Sequence, residues 1–195
     1  LVEIAVEGYI SVDFLACGRG NDLWVGYWEG VSHFDGSAWN HYPATQYLGS
    51  SDSSMVTSLA VAPNGNVWVA TDASIATFDG INWQVVRTGG GYGSLAVDAN
   101  GNVWVRDNQS LLKYDGIEWS TFSESAGIRY ITFDQENRIW VISSLSKIYT
   151  FDPQTDSWVL QFNEEQLGGR SVKAMQFDRH GRLWVATDYG LYIYD

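Results

Sequence analysis

Cysteine is almost missing: Cys17 is the single one in 195 residues, so no disulfide within the chain can brace the fold. So low a cysteine content fits the cytosol or the bacterial exterior equally. Proline occurs only three times. Basic residues are few, with 11 Lys and Arg against 23 Asp and Glu, a net charge of −12. A nucleic acid needs a Lys/Arg footprint on its phosphates, and an anionic membrane surface makes the same demand, so neither is an expected partner. The acidic balance leaves cationic, neutral and carbohydrate partners open. No apolar run approaches the ~20 residues that cross a bilayer as a helix, so membrane insertion is not expected. No signal peptide is visible and the first residue is Leu1 rather than Met; the expectation is a processed product, an excised piece or a fragment.

Aromatic residues and glycine are abundant instead. Phe, Trp and Tyr make up 15% of the chain, with ten Trp, and there are 20 Gly. This mixture suits short strands joined by tight turns. The Trp recur at a fixed spacing. An apolar residue precedes Trp by nine positions at Leu15–Trp24, Leu59–Trp68, Leu95–Trp104, Ile131–Trp140 and Met175–Trp184. The next Asp follows those Trp by 11, 11, 11, 12 and 11 residues, at Asp35, Asp79, Asp115, Asp152 and Asp195. Such a period is the mark of a repeat architecture.

The second repeat shows what the unit is. Val56 to Ala62 is β-rich, Pro63-Asn64-Gly65-Asn66 is a turn, and Val67 to Ala70 is a second strand. Ile75 to Phe78 is a third strand, Asp79-Gly80 a hairpin turn, and Ile81 to Arg87 a fourth strand. Asp-Gly favours a tight turn because Gly accepts positive φ without a Cβ clash. A four-stranded meander with apolar residues on both faces must stack on its neighbours, and radial stacking gives a β-propeller. The expected fold is all-β: a single domain, residues 1–195, forming a five-bladed β-propeller of four-stranded antiparallel blades. The blades span about 8–42, 54–87, 91–122, 127–162 and 171–195. The last repeat stops after its third strand, so Leu1–Glu7, with Val2, Ile4 and Val6 alternating, is expected to close it as the fourth. The rival is a five-repeat piece of a larger ring. The repeat Trp are expected in the core between blades, and Cys17, which aligns with Val61, Val97, Phe133 and Phe177, is expected to be buried.

The segments Asn64 to Thr71, Asp98 to Val105 and Asp178 to Thr187 resemble the two-component regulator propeller repeat, whose form is Asp-x-x-Gly-x-Leu-Trp-Val-Gly-Thr. Asp188 to Asp195 matches the Gly-Leu and aromatic-Asp elements that follow it. The resemblance spans about residues 8–195. It implies a bacterial sensor β-propeller outside the membrane, periplasmic or secreted, of the kind linked to polysaccharide sensing. The repeats are also similar to streptogramin lyase, whose His/Glu metal-assisted chemistry has no visible counterpart in this sequence.

The turns between strands one and two and between three and four share one end of each blade, and they are monotonous. The second-to-third turns and the blade junctions share the other end, and they vary. Variable loops on a rigid scaffold carry function, so that end is the expected binding face. Tyr27, Trp28 and Tyr189 are candidates for an aromatic platform suited to a sugar ring or a cation; Trp28 as a loop cover is an equal reading. Asp72, Asp107 and Asp188 occupy similar places in three blades and are the oxygen set a hard cation such as Ca²⁺ would use. Local Asx-turn bonding is the stronger expectation for them, and no cofactor is expected. Arg106, Arg129, Lys147 and Arg170 are candidates to hold a carboxylate or sulfate. Asn108-Gln109-Ser110 fits a glycosylation sequon. His33, His41 and His180 are dispersed and form no metal triad or Ser-His-Asp set.

The expected function is a non-enzymatic ligand-binding or sensor propeller for a carbohydrate or small polar ligand. One alternative is a lyase or glycoside-active enzyme using Glu29, Asp72, Asp107 and Asp188. The other is a structural or protein-interaction ring whose variable face meets another chain, or else an excised or engineered propeller.

Overall fold

The computed structural model describes residues 12–18, 22–49, 55–108, 110–123 and 127–194. They form five antiparallel meanders, the blades of a five-bladed β-propeller. The first is β1 (Phe14–Cys17), β2 (Leu23–Tyr27), β3 (Gly30–Phe34) and β4 (Trp39–Pro43). A single helical turn, α1 (Ala44–Tyr47), leads to β5 (Val56–Val61), β6 (Val67–Thr71), β7 (Ser74–Phe78) and β8 (Trp83–Thr88). The third sheet contains β9 (Leu95–Val97), β10 (Val103–Asp107), β11 (Ser110–Tyr114) and β12 (Trp119–Ser123). The fourth contains β13 (Ile128–Phe133), β14 (Ile139–Ser143), β15 (Ile148–Asp152) and β16 (Ser157–Phe162). The fifth contains β17 (Val172–Phe177), β18 (Leu183–Thr187) and β19 (Gly190–Tyr194). Every sheet follows chain order, as a meander must. The expected closing strand, Leu1–Glu7, lies outside the described residues.

The chain divides into two compact units, 1–97 and 98–195. In the first unit the core gathers Trp24, Val31, Val56, Leu59, Val67, Val69 and Phe78 between the first two sheets. Sheet one approaches sheet two closely at Gly26. A Cβ built there would lie 2.9 Å from Leu59 Cδ2 and 3.2 Å from Val56 Cγ1, so a larger residue would force the strands apart. In the second unit Trp140, Ile142, Ile148, Met175, Leu183 and Val185 pack between the fourth and fifth sheets.

Two junctions add a plug to these cores. Leu48, just after α1, is fully buried in the first, and Leu167, between β16 and β17, is buried in the second. The helical turn itself is a departure from the all-strand expectation. It follows Pro43, which presets φ, and Leu48 N–H donates to the Ala44 carbonyl at 2.9 Å to close it.

Two local expectations need correction. Ile81 is not in a strand: β8 begins at Trp83, and Ile81 is 84% exposed. The Asp79 carboxylate accepts the N–H groups of Ile81 and Asn82 at 2.8 and 2.7 Å, which extends the turn by two residues. Cys17 is exposed rather than buried. Phe14 and Ala16 are the β1 residues packed on the first core, and strand alternation turns Leu15 and Cys17 to the opposite face.

Candidate functional site

The monotonous end is built by two sets of aspartates, both engaged locally. In the third-to-fourth turns, Asp35 accepts the N–H of Ser37 and Ala38, Asp79 those of Ile81 and Asn82, and Asp115 those of Ile117 and Glu118, all at 2.7–2.9 Å. Asp152 accepts Gln154 N–H and the Thr155 hydroxyl, both at 2.9 Å. These bonds stabilise the ionised carboxyls. The Ala38 and Ser37 donors lower Asp35 to about 2, and backbone donors also lower Asp79, Asp115 and Asp152.

The second set is Asp98, Asp134 and Asp178, each six residues before a repeat Trp. Each accepts the indole N–H of that Trp: Trp104 at 3.1 Å, Trp140 at 2.8 Å and Trp184 at 3.0 Å. Each also binds the side chain four residues on, Asn102, Arg138 and Arg182, at 2.6–2.8 Å. The Trp184 indole, with the Arg182 guanidinium and backbone donors, holds the Asp178 carboxyl well below the usual carboxylate range. Sequence reasoning gave these aspartates no bonding role, although the constant six-residue step to Trp was visible. Neighbouring turns are also stapled. Ala99 N–H donates to Asn137 Oδ1 at 2.8 Å, and the Gln135 amide donates to the Arg179 carbonyl at 2.9 Å. Asn137 has φ of 64°, the left-handed conformation that Gly101 and Gly181 adopt in its sister turns.

At the variable end the candidates separate into locks and surface groups. Asp72 Oδ1 accepts Met55 N–H at 3.1 Å, and Asp72 N–H donates to the Met55 carbonyl at 3.1 Å. Asp188 repeats this with Ser171 at 3.2 and 3.1 Å. These two aspartates fasten the entry to a blade's first strand onto its second-to-third turn. Asp107 instead accepts Asn108 N–H at 2.6 Å. Among the described residues no group of three or more His, Cys, Asp or Glu is placed to hold a metal ion. Arg129 donates to the Val172 carbonyl. Lys147 closes the β14–β15 turn through its backbone, donating to Ser143 Oγ at 3.0 Å. Arg106 and Asp107 are half-buried at the end of β10. In the sequon, Asn108 is exposed and Gln109 lies outside the described residues.

The aromatic candidates differ in exposure. Tyr27 is buried, its hydroxyl 3.4 Å from Ser32 Oγ, which in turn sits 2.7 Å from His41 Nδ1. Trp28 is 55% exposed and Tyr189 is 77% exposed. The Arg170 guanidinium lies 4.1 Å from the Tyr189 ring centroid, a cation–π stack on the surface of the second unit. Glu29 is exposed, and its carbonyl accepts Ala44 N–H at 2.8 Å. His33 stacks on Trp24 with centroids 4.2 Å apart and bonds Asp22 at 3.0 Å, and His180 Nε2 accepts from Arg179 at 3.2 Å.

Two grooves open beside the monotonous turns, one within each unit. In the first unit Tyr42, Tyr47, Phe78 and Trp83 line a groove of about 620 Å³ with Gln46 and Asn82. It exists because α1 sets Tyr47 edge-on to Tyr42, with centroids 5.5 Å apart. In the second unit a groove of about 520 Å³ runs between sheets three and four past Trp104, Lys113, Asn137 and Asp152.

The comparisons with known proteins bear on the fold. No curated protein sequence matches the chain. Among solved structures, the extracellular domain of the putative one component system BT4673 from B. thetaiotaomicron is similar at TM-score 0.78 and 14% identity, over 99% of this chain and 28% of that one. YCF48 bound to D1 peptide gives 0.71 and 17%, over 98% of this chain and 66% of that one. A catalytically inactive virginiamycin B lyase from Staphylococcus aureus with quinupristin gives 0.77 and 10%, over 98% and 72%. The chain thus spans just over a quarter of the length of the BT4673 extracellular domain and about two thirds of that of YCF48. No helix among the described residues is long and apolar enough to cross a membrane. The two component regulator propeller family matches at residues 50–73 and 166–189. The reciprocal locks Met55–Asp72 and Ser171–Asp188 fall at the same offsets within those two segments. The chain carries two-component regulator propeller repeats, on a five-bladed β-propeller.

Proposed function

We propose that the chain is a non-enzymatic recognition propeller of the sensor type, working outside the cytoplasm. It takes a carbohydrate or another small polar ligand at the end where the turns vary. The observation that carries the reading is the Arg170–Tyr189 stack. A flat ring is held open to solvent with a guanidinium 4.1 Å above it. An aromatic face with a planar, multi-donor cation beside it suits a sugar ring that bears a carboxylate or sulfate. Asp188 is tied to Ser171 and fixes the backbone beneath the pair, which lowers the cost of ordering it on binding. Trp28 offers a second exposed ring on the first unit. The sensor reading draws support from the repeat match and from a fold shared with the extracellular domain of a putative one component system.

A glycan array that includes acidic and neutral oligosaccharides tests this. Binding that falls about tenfold or more in Tyr189→Ala and Arg170→Ala supports it. Binding to nothing on the array, or binding indifferent to both substitutions, removes it.

A further inference from the structure

The groove in the second unit lies at the end of the blades opposite the stack just discussed, and its chemistry is different. Each repeat Trp is paired across the hairpin with one residue of the third strand: His33, Thr77, Lys113, Thr150 and Ile193. The third blade alone puts an ammonium there. Lys113 Nζ lies 5.5 Å from the Trp104 ring centroid, and Lys113 forms no ion pair among the described residues. Most lysines and arginines among the described residues likewise lack one; what sets Lys113 apart is its place over an indole in a groove that also carries amide donors.

The carboxylates lining this groove are already committed. Asp98 accepts from Asn100 N–H, from Asn102 N–H and its side chain, and from the Trp104 indole. Asp152 is engaged by its own turn. Asp115, just past the end of β11, likewise holds the N–H groups of Ile117 and Glu118, and its carboxyl also feels the charge of Lys113. Donors remain. Asn137 spends its Oδ1 on Ala99 and keeps its amide N–H₂. The side chains of Asn100 and Gln154 make no hydrogen bond among the described residues, and both line the groove with Lys113. The remaining wall is formed by Ile139, Phe151, Pro153 and Val159, with Thr150 and with Arg138, whose guanidinium is paired with Asp134 and Glu136. The volume, about 520 Å³, lies within the roughly 300–1,000 Å³ that takes small organic ligands.

We infer that this groove is a binding site for a small organic carboxylate: the anion sits against Lys113 and the amides, and the hydrocarbon part lies on Ile139, Pro153 and Val159. The site shares no residue with the Arg170–Tyr189 surface, so the two readings stand or fall separately.

Calorimetric titration of the whole chain with benzoate, and with benzamide as its uncharged counterpart, tests the inference. Benzoate is expected to bind and benzamide to bind about tenfold or more weaker. Lys113→Met keeps the length of the side chain and removes its charge; it should abolish that preference, while Lys113→Arg should retain it. The Trp104 indole N–H resonance, assigned with Trp104→Phe, should shift on titration with benzoate. Tyr189→Ala should leave benzoate binding unchanged. Equal affinity for the two probes, no effect of Lys113→Met in a folded variant, or no binding of benzoate at about 10 mM would each overturn the inference.

Discussion

Asp134 shows how much one residue carries in this fold. Its side chain is 3% exposed, and it holds the Arg138 guanidinium at 2.6 Å, Arg138 N–H at 2.8 Å and the Trp140 indole at 2.8 Å. Removing it leaves the indole N–H of the buried Trp140 and a backbone N–H without an acceptor. Asp134→Ala is therefore expected to cost about 1.5–3 kcal/mol in a urea unfolding series. The turn aspartates make the same point through pH. Asp35, Asp79, Asp115, Asp152 and Asp178 are all lowered from the ordinary value of 3.8. A lowered folded value means that the unfolded chain takes up protons first as the solution is acidified. The stability these groups contribute is complete above the ordinary carboxylate value and drains away as pH falls from there through the folded values, near 2 for Asp35. Melting temperatures recorded from pH 6 to pH 2 should hold level and then drop below about pH 4. Asp35→Asn should make that drop shallower.

At the scale of the element, the junctions matter as much as the strands. Between β4 and β5 a single turn of helix carries Leu48 to full burial beside Val31, Val56 and Phe78. Leu48→Ala is expected to cost about 2–5 kcal/mol, because rigid sheets on both sides cannot collapse into the space left. Calorimetry against the wild-type chain measures it. The strands themselves were legible in the sequence. The nine-residue step to Trp located all five meanders, and Asp-Gly marked the third-to-fourth turn in the first three, because both reflect recurring hairpin geometry. The helical turn was not legible: four residues carry no period, and Ala44-Thr45-Gln46-Tyr47 reads equally well as loop. The Trp–Asp bonds were half legible, since the spacing was plain but the side-chain aim was not. Cys17 was misplaced because alignment to Val61 assumes that the same face is covered in every blade.

At the scale of the whole molecule, charge is the dominant property. A net charge of −12 on 195 residues works against compaction through self-repulsion. Raising the salt from about 20 to about 200 mM shortens the Debye length and should raise the melting temperature by about 2–4 °C. A level or falling trend would mean that the local bonds of the turn aspartates outweigh the global repulsion. The candidate sites were partly legible. Sequence reasoning searched the end with diverse loops and named Arg170 and Tyr189, which the fold stacks, and Asp72 and Asp188, for which local bonding was the stronger expectation and which fasten backbone. The two grooves were not legible: they lie beside the uniform turns, where the side chains between adjacent sheets differ.

That difference is concentrated at one coordinate per blade. The indole is constant and its partner across the hairpin is not: imidazole, hydroxyl, ammonium, hydroxyl, then a branched alkyl chain. Exchanging that partner leaves the turn and the Trp in place, together with the indole-bound carboxylate in the three blades that have one. Lineages, or a protein engineer, can therefore rewrite five addresses one at a time on an unchanged frame, which is a cheap route from one specificity to the next.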